Sequence, residues 1–327
     1  MEQEVLLEVK HLKKYFPMKN FFGAKIGDLK AVDDVSLEIY RGETFGLVGE
    51  SGCGKSTLGR TILQMLKADS GNVIFRGKDI ANLPVTQWKD LRSKLQIIFQ
   101  DPYSALNPNW TVQDLIQEPL KNAGMSQKEC DARVKELLEL VNMNQEDVHK
   151  FSYEFSGGQR QRIGIARAVA NYPEFIFCDE PISALDVSVQ AQVVNMLKDL
   201  QQELGLTYLF TAHDLSMVHH ISDRIGVMYL GSMVELGTSE EVFSHPLHPY
   251  TQALISAIPI ADPELGRKNQ RIPIQGELPS PLNVPKGCRF CTRCPYANEG
   301  CRKERPILRE ITPGHWVACH QIDTQGC

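Results

Sequence analysis

Apolar positions along the chain follow two interleaved periods. Val5 to Val9 and Val32 to Ile39 alternate apolar and polar residues, as half-buried strands do. Thr44 to Val48, Val73 to Phe75, Leu95 to Phe99, Phe175 to Cys178 and Thr207 to Thr211 are short apolar runs of strand length, and Ile225 to Leu230 and Met233 to Leu236 follow them. Helical spacing separates these runs, over Thr57 to Leu66, Thr111 to Leu120, Asp131 to Val141 and a stretch from Ser156 to about Ala170. Val134, Leu137, Leu138 and Val141 share one face, and Val189, Val193, Met196 and Leu200 stripe a later helix. Short helices are predicted near Glu240 and Tyr250, and a loop from Phe16 to Gly27. Strands alternating with helices imply an α/β core with a mostly parallel sheet and ligands at the strands' carboxyl ends. Lys55, Gln100, Asp179 and His213 all stand at or just beyond such ends.

Residues 103–170 read as a helical insertion in that core. From Pro259 the texture changes: Pro263, Pro273, Pro279, Pro281 and Pro285 punctuate a segment with little periodicity, so a boundary is placed between 1–258 and 259–327. The length of 327 residues also suits about two domains.

Composition narrows the classes. With 42% hydrophobic residues the chain can bury a sizeable core, and a formal net charge of −5 leaves no footprint for nucleic acid. No run of about 20 apolar residues is present, and Met1 to Lys14 lacks a signal-peptide core, so a cytosolic protein is expected. Nine cysteines are unevenly spread. Cys53, Cys130 and Cys178 suit packing roles, whereas Cys288, Cys291, Cys294, Cys301 and Cys319 crowd a short terminal stretch. In a reducing compartment such crowding points to a metal site rather than disulfides.

The chemistry starts at Gly49-Glu50-Ser51-Gly52-Cys53-Gly54-Lys55-Ser56-Thr57, between a buried strand and a helix start. Glycines let the backbone curl with its N–H groups inward, making a nest for phosphate oxygens to which the helix dipole adds. Lys55 suits the β- and γ-phosphates and Ser56 suits Mg²⁺. Further along come Gln100, then Phe155-Ser156-Gly157-Gly158-Gln159, then Asp179-Glu180-Pro181, Asp186 and His213.

In that order these motifs closely resemble the nucleotide-binding subunit of an ABC transporter, over about residues 5 to 258. The resemblance implies a P-loop core with an antiparallel β edge and a helical signature subdomain, binding ATP and Mg²⁺. It implies that Asp179 and Gln100 attend Mg²⁺, Glu180 is the general base, and His213 contacts the γ-phosphate. Ser156, Gly157 and Gly158 would complete the site of a facing subunit, with Asp186 crossing that interface. Phe155 stands where leucine is more usual. The adenine is expected to stack on Phe16, with Tyr15 as the fallback.

His248-Pro249-Tyr250, Gly287-Cys288-Arg289-Phe290, Arg293-Cys294-Pro295 and Val317-Ala318-Cys319-His320 are similar to the C-terminal extension of dipeptide and oligopeptide importer ATPases. That likeness implies a pairing with a second, related ATPase, two permease subunits, an external peptide-binding protein, and a place at the cytoplasmic face of the membrane. It implies an iron–sulfur cluster, [4Fe–4S], on Cys288, Cys294, Cys301 and Cys319, with Cys291 where histidine is usual; zinc is the alternative. Nickel, glutathione and opine importers use similar ATPases, and a soluble ABC ATPase of iron–sulfur assembly is the rival from another class.

Overall fold

The computed structural model describes residues 4–81, 83–259, 271–277 and 279–322. Contacts gather the chain into two units that ignore chain order. One is Met1–Glu4, Tyr40–Thr44 and Asn82–Ala212; the other is Val5–Ile39, Phe45–Ala81 and His213–Cys327.

The first unit is built on three parallel strands, Leu95–Ile98, Phe175–Asp179 and Thr207–Thr211, with Phe175–Asp179 in the middle. Every residue of the second and third strands is buried, which is why they read as continuous apolar runs. The register pairs Ile98 with Cys178 and Asp179 with Thr211. Around them lie helices Val112–Asn122, Gln127–Leu140, Gly157–Val169 and Val187–Leu204. The second starts at Gln127, four residues before the predicted Asp131. Ser126 and Glu129 close a capping box there, and the polar first turn hid it from an argument based on apolar spacing.

The second unit holds two sheets. In one, strand Val5–Lys19 lies between Lys25–Tyr40 and Ser70–Phe75, with Lys78–Asp79 outermost; Leu7 pairs antiparallel with Phe75. The predicted loop from Phe16 to Gly27 is thus mostly strand, broken by a tight turn. Asn20 Oδ1 accepts from the N–H groups of Phe22 and Ala24, and Gly23 supplies the left-handed residue at φ 80°. Exposed residues fill both arms, so no hydrophobic alternation marked them.

In the other sheet Thr44–Val48 runs parallel to Arg224–Tyr229, which turns back into Ser232–Thr238. Leu230 and Gly231 make that turn at φ 46° and 77°, a mirror-image hairpin turn with leucine at a position that disfavours it. Two strands from the terminal segment extend the sheet: His315–Val317 pairs with Ser232–Thr238, and Arg309–Thr312 lies outside it. Sequence periodicity did not reveal them, since three and four residues are too short to alternate visibly. The helix after the phosphate loop spans Lys55–Ile62, shorter than the predicted Thr57 to Leu66 and starting earlier.

Candidate functional site

Residues 49–54 curl at the carboxyl end of Thr44–Val48. Gly49, Gly52 and Gly54 adopt φ of 150°, 76° and 109°. A Cβ on Gly54 would lie 2.0 Å from the Ala31 carbonyl oxygen, and one on Gly49 would lie 2.2 Å from that of Met228, so neighbouring backbone forbids any other residue at either place. Lys55 is buried at the helix start, and its Nζ donates to the Gly49 carbonyl at 2.8 Å and to the Glu50 carbonyl at 3.3 Å. Its charge therefore sits inside the curl. Ser56 and Thr57 are half-buried beside it. Burial raises the Cys53 thiol above its ordinary range, so Cys53 packs as a neutral group.

Tyr15 and Phe16 are consecutive in a strand and so face opposite ways. The Tyr15 hydroxyl donates to Asp33 Oδ1, and burial with that bond lifts its pKa well above the usual value. Phe16 is half-buried, with Lys14 Nζ 5.2 Å from its ring centre. His213 is exposed just ahead of helix Leu215–Ile221, whose first turn Asp214 caps by accepting from the Ser216 N–H at 2.8 Å.

In the first unit, the carboxyl end of Phe175–Asp179 carries fully buried Asp179 and then Glu180, 6% exposed. Glu180 sits at φ 48°, which costs a non-glycine residue about 1–2 kcal/mol. Its N–H donates to Thr211 Oγ1 at 3.0 Å, and that hydroxyl donates on to the Cys178 carbonyl at 3.1 Å. Gln100 Nε2 donates to Glu180 Oε2 at 2.8 Å. The strained turn thus aims the carboxylate at Gln100, eighty positions earlier in the chain. No signal in the sequence announces that strain.

Ser156 caps helix Gly157–Val169: its hydroxyl accepts from the Gln159 N–H at 3.3 Å, and Gln159 Oε1 accepts from the Ser156 N–H at 3.0 Å. Arg160 anchors the turn by donating to the Ser152 and Tyr153 carbonyls while its guanidinium stacks 4.0 Å above Tyr103. Gly158 is required by space, since a Cβ there would lie 2.6 Å from Val189 Cγ1. Asp186 caps the next helix, accepting from the Val189 N–H and the Ser188 hydroxyl; the Ser188 bond, more than any other cause, lowers its carboxyl pKa. A cavity of about 860 Å³ opens elsewhere in this unit, lined among others by Arg92, Gln96, Pro102, Leu106, Glu118 and Arg167.

Known proteins match this chain along nearly its whole length. Residues 32–183 match the ABC transporter family, and residues 234–301 match the family described as Oligopeptide/dipeptide transporter, C-terminal region. The oligopeptide transport ATP-binding protein AppF of Bacillus subtilis (strain 168) is 51% identical over 97% of this chain and 98% of its own. OppF of Escherichia coli (strain K12) is 51% identical over 98% and 97%. The chain belongs to the ATP-binding subunits of oligopeptide ABC transporters. Among solved structures, cbiO1 of Clostridium perfringens, part of the ABC transporter complex cbiONQ, superposes with a TM-score of 0.65 at 28% identity, covering 74% of this chain and 92% of that one. The ATP-binding cassette MJ0796, solved as a dimer in a post-hydrolysis state bound to ADP and Pi, gives 0.65 at 28%, covering 72% and 99%.

As a member of this family the chain is an ATPase of a transporter, and among its described residues no helix is long and apolar enough to cross a membrane. Its extension is packed into the second unit. Cys291, Cys301 and Cys319 are buried and Cys288 and Cys294 half-buried. The backbone gathers them: the Cys288 N–H donates to the Cys301 carbonyl at 2.7 Å, and those of Cys291 and Cys294 donate to the Cys288 and Phe290 carbonyls. Burial pushes the Cys288 thiol up to about 12, and the neighbouring cysteines add to the shift, so that thiol is protonated at neutral pH. Among the described residues, however, no three Cys, His, Asp or Glu side chains converge where they could hold a metal ion. The expected ligand set Cys288, Cys294, Cys301 and Cys319 is brought into one lobe but not closed into a site.

Proposed function

We propose that the N–H groups of Gly49 to Thr57, with Gly49, Ser51, Gly52, Cys53 and Gly54 forming the curl, hold the phosphates of ATP. Lys55 neutralises the β- and γ-phosphates, and Ser56, Asp179 and Gln100 are the groups that would hold Mg²⁺. Glu180 is the general base. Water oxygen attacks the γ-phosphorus, the bond to the ADP oxygen breaks, and the water proton passes to the Glu180 carboxylate. His213 contacts the γ-phosphate and orients the attacking water, and Phe16 stacks on adenine, the Tyr15 hydroxyl being already committed to Asp33. Positioning and charge stabilisation are what phosphoryl transfer needs, and these residue types supply both.

Hydrolysis by this family energises oligopeptide import. Ser156, Gly157, Gly158 and Asp186 complete the site of a facing, related ATPase subunit, and two permeases with an external peptide-binding protein make up the transporter. The chain works from the cytoplasmic face of the membrane, with residues 1–258 as the nucleotide-binding part, 103–170 as its helical subdomain and 259–327 as the extension. The stretch Asp101 to Pro108 and the 860 Å³ cavity beside Pro102 and Leu106 are the proposed seat for a permease segment. For the terminal thiols, which as they stand do not close around a metal, the likeness to the importer ATPases' extension favours an iron–sulfur cluster over zinc, although four soft donors suit either. Iron, sulfide and zinc analysis of anaerobically purified chain decides between them.

The observation that carries the reading is the buried, strained Glu180 bonded to Gln100. Glu180→Gln in the assembled transporter should lower ATP turnover by about 10²–10⁴-fold while ATP still binds. Turnover near that of the unaltered chain would end the assignment.

A further inference from the structure

Side chains of the terminal segment reach the phosphate loop at points that the nucleotide chemistry does not explain. Glu50 is the loop's second residue. Its N–H donates to the Tyr250 hydroxyl at 2.8 Å. Its carboxylate accepts from a single nitrogen of Arg293, 2.8 Å from Oε2 and 3.1 Å from Oε1, and that nitrogen also lies 3.4 Å from the Tyr229 hydroxyl. Arg293 is 10% exposed and Glu50 26%, so water screens the pair only in part. Phe290, in the same turn as Arg293, is buried edge-on to Tyr229 with ring centres 5.2 Å apart, and lies 5.4 Å from Tyr250. A second route runs through Arg289, which donates to the Leu230 carbonyl, while the N–H of adjacent Gly231 donates to the Cys53 carbonyl at 2.8 Å. Glu50 and Cys53, at the two ends of the curl, are both held by groups that the terminal segment fixes.

A carboxylate in the second position of an anion nest opposes the charge the nest is built to take. We propose that Arg293 is a positioning residue for nucleotide binding: it neutralises Glu50 and fixes the curl, so that affinity for ATP depends on the terminal segment. The proposal rests on reading residues 49–57 as the phosphate loop. The contact is made by one nitrogen, so a lysine ammonium can replace it in part, whereas a neutral side chain cannot.

The test uses the full chain with trinitrophenyl-ATP and Mg²⁺ as the binding probe, and steady-state turnover of the assembled transporter. Arg293→Ala should bind about tenfold more weakly, with the loss appearing in KM rather than kcat. Arg293→Lys should recover most of the affinity. Adding Glu50→Gln to Arg293→Ala should also recover affinity, because the uncompensated charge is gone; a merely structural role for Arg293 would not produce that reversal. Unchanged affinity in Arg293→Ala, or a double variant as weak as the single one, overturns the proposal. Should Arg293→Ala fail to fold, Arg293→Gln takes its place with the same outcomes. Lys55→Ala separates the two readings. Full binding there sinks the phosphate loop itself, whereas lost binding there beside normal binding in Arg293→Ala sinks only the coupling.

Discussion

Asp33 offers the sharpest test of what holds the terminal segment in place. Its carboxylate accepts from Tyr15, Arg289 and Arg305, and its side chain is 8% exposed against 5% for Arg289. Burial lowers Arg289 to about 10, and the charge of Arg305 adds to that, so this cation depends on Asp33 to stay charged at little cost. Asp33→Asn keeps the volume and an acceptor oxygen but removes the charge. Leaving a buried ion unpaired costs about 3–5 kcal/mol, and the remaining acceptor puts the loss near the lower end, about 3 kcal/mol. For a chain of 327 residues, with an unfolding entropy of about 2.1 cal/mol/K per residue, that is a fall of about 4 °C in Tm. Asp33→Asn/Arg289→Met should regain more than half of the fall, because the second change removes the buried cation. The pH dependence has a definite sign. Burial by itself would raise the Asp33 carboxyl, but the Tyr15 hydrogen bond and the two arginines outweigh it and hold it below 3.8. The stabilisation is therefore complete above 3.8 and is lost as pH falls through the folded value. Thermal melts of both chains from pH 7 downward should show a constant gap that closes only below about 4. A gap of under about 2 °C at pH 7 would refute the reasoning.

Two other outcomes follow from the geometry. Gly158→Ala should displace the signature helix start and cost about 1–3 kcal/mol through overpacking, with ATP turnover of the assembled transporter reduced; Val189→Ala in the same chain should restore it by making room, and an unaffected single variant would show that the contact can relax. His248 is buried, and burial pushes its pKa down to about 4, so it accepts from the Tyr250 N–H as a neutral ring. Because the folded value lies below the ordinary 6.5, stability should fall as pH drops from 6.5 through 4. His248→Asn, which keeps an acceptor, should flatten Tm over that range; an unchanged slope would assign it to other groups.

Much of the parallel core was legible because its strands are buried and the helices beside them are amphipathic. Thr207–Thr211 and Thr44–Val48 were read to the residue, and Phe175 to Cys178 within one. The hairpin turn at Asn20 and the strand His315–Val317 were not, since exposed or very short strands leave no alternation to read. Of the proposed functional residues, Glu180, Gln100 and Lys55 stand out by motif order. Glu50 and Asp33 belong to no pattern that singles them out in the sequence.

Local chemistry and motif order in the amino-acid sequence determined that this chain has a phosphate loop, a signature turn and an acidic strand end, because backbone curl, helix capping and strand burial are properties of neighbouring residues. Only the tertiary structure decided that Arg293 meets Glu50 across 243 positions, that Asp33 anchors Arg289, and that Glu180 is held in a left-handed turn by Thr211 and Gln100. Ion pairs and buried hydrogen bonds form wherever folding brings partners within about 3 Å, and no spacing rule along a chain encodes that.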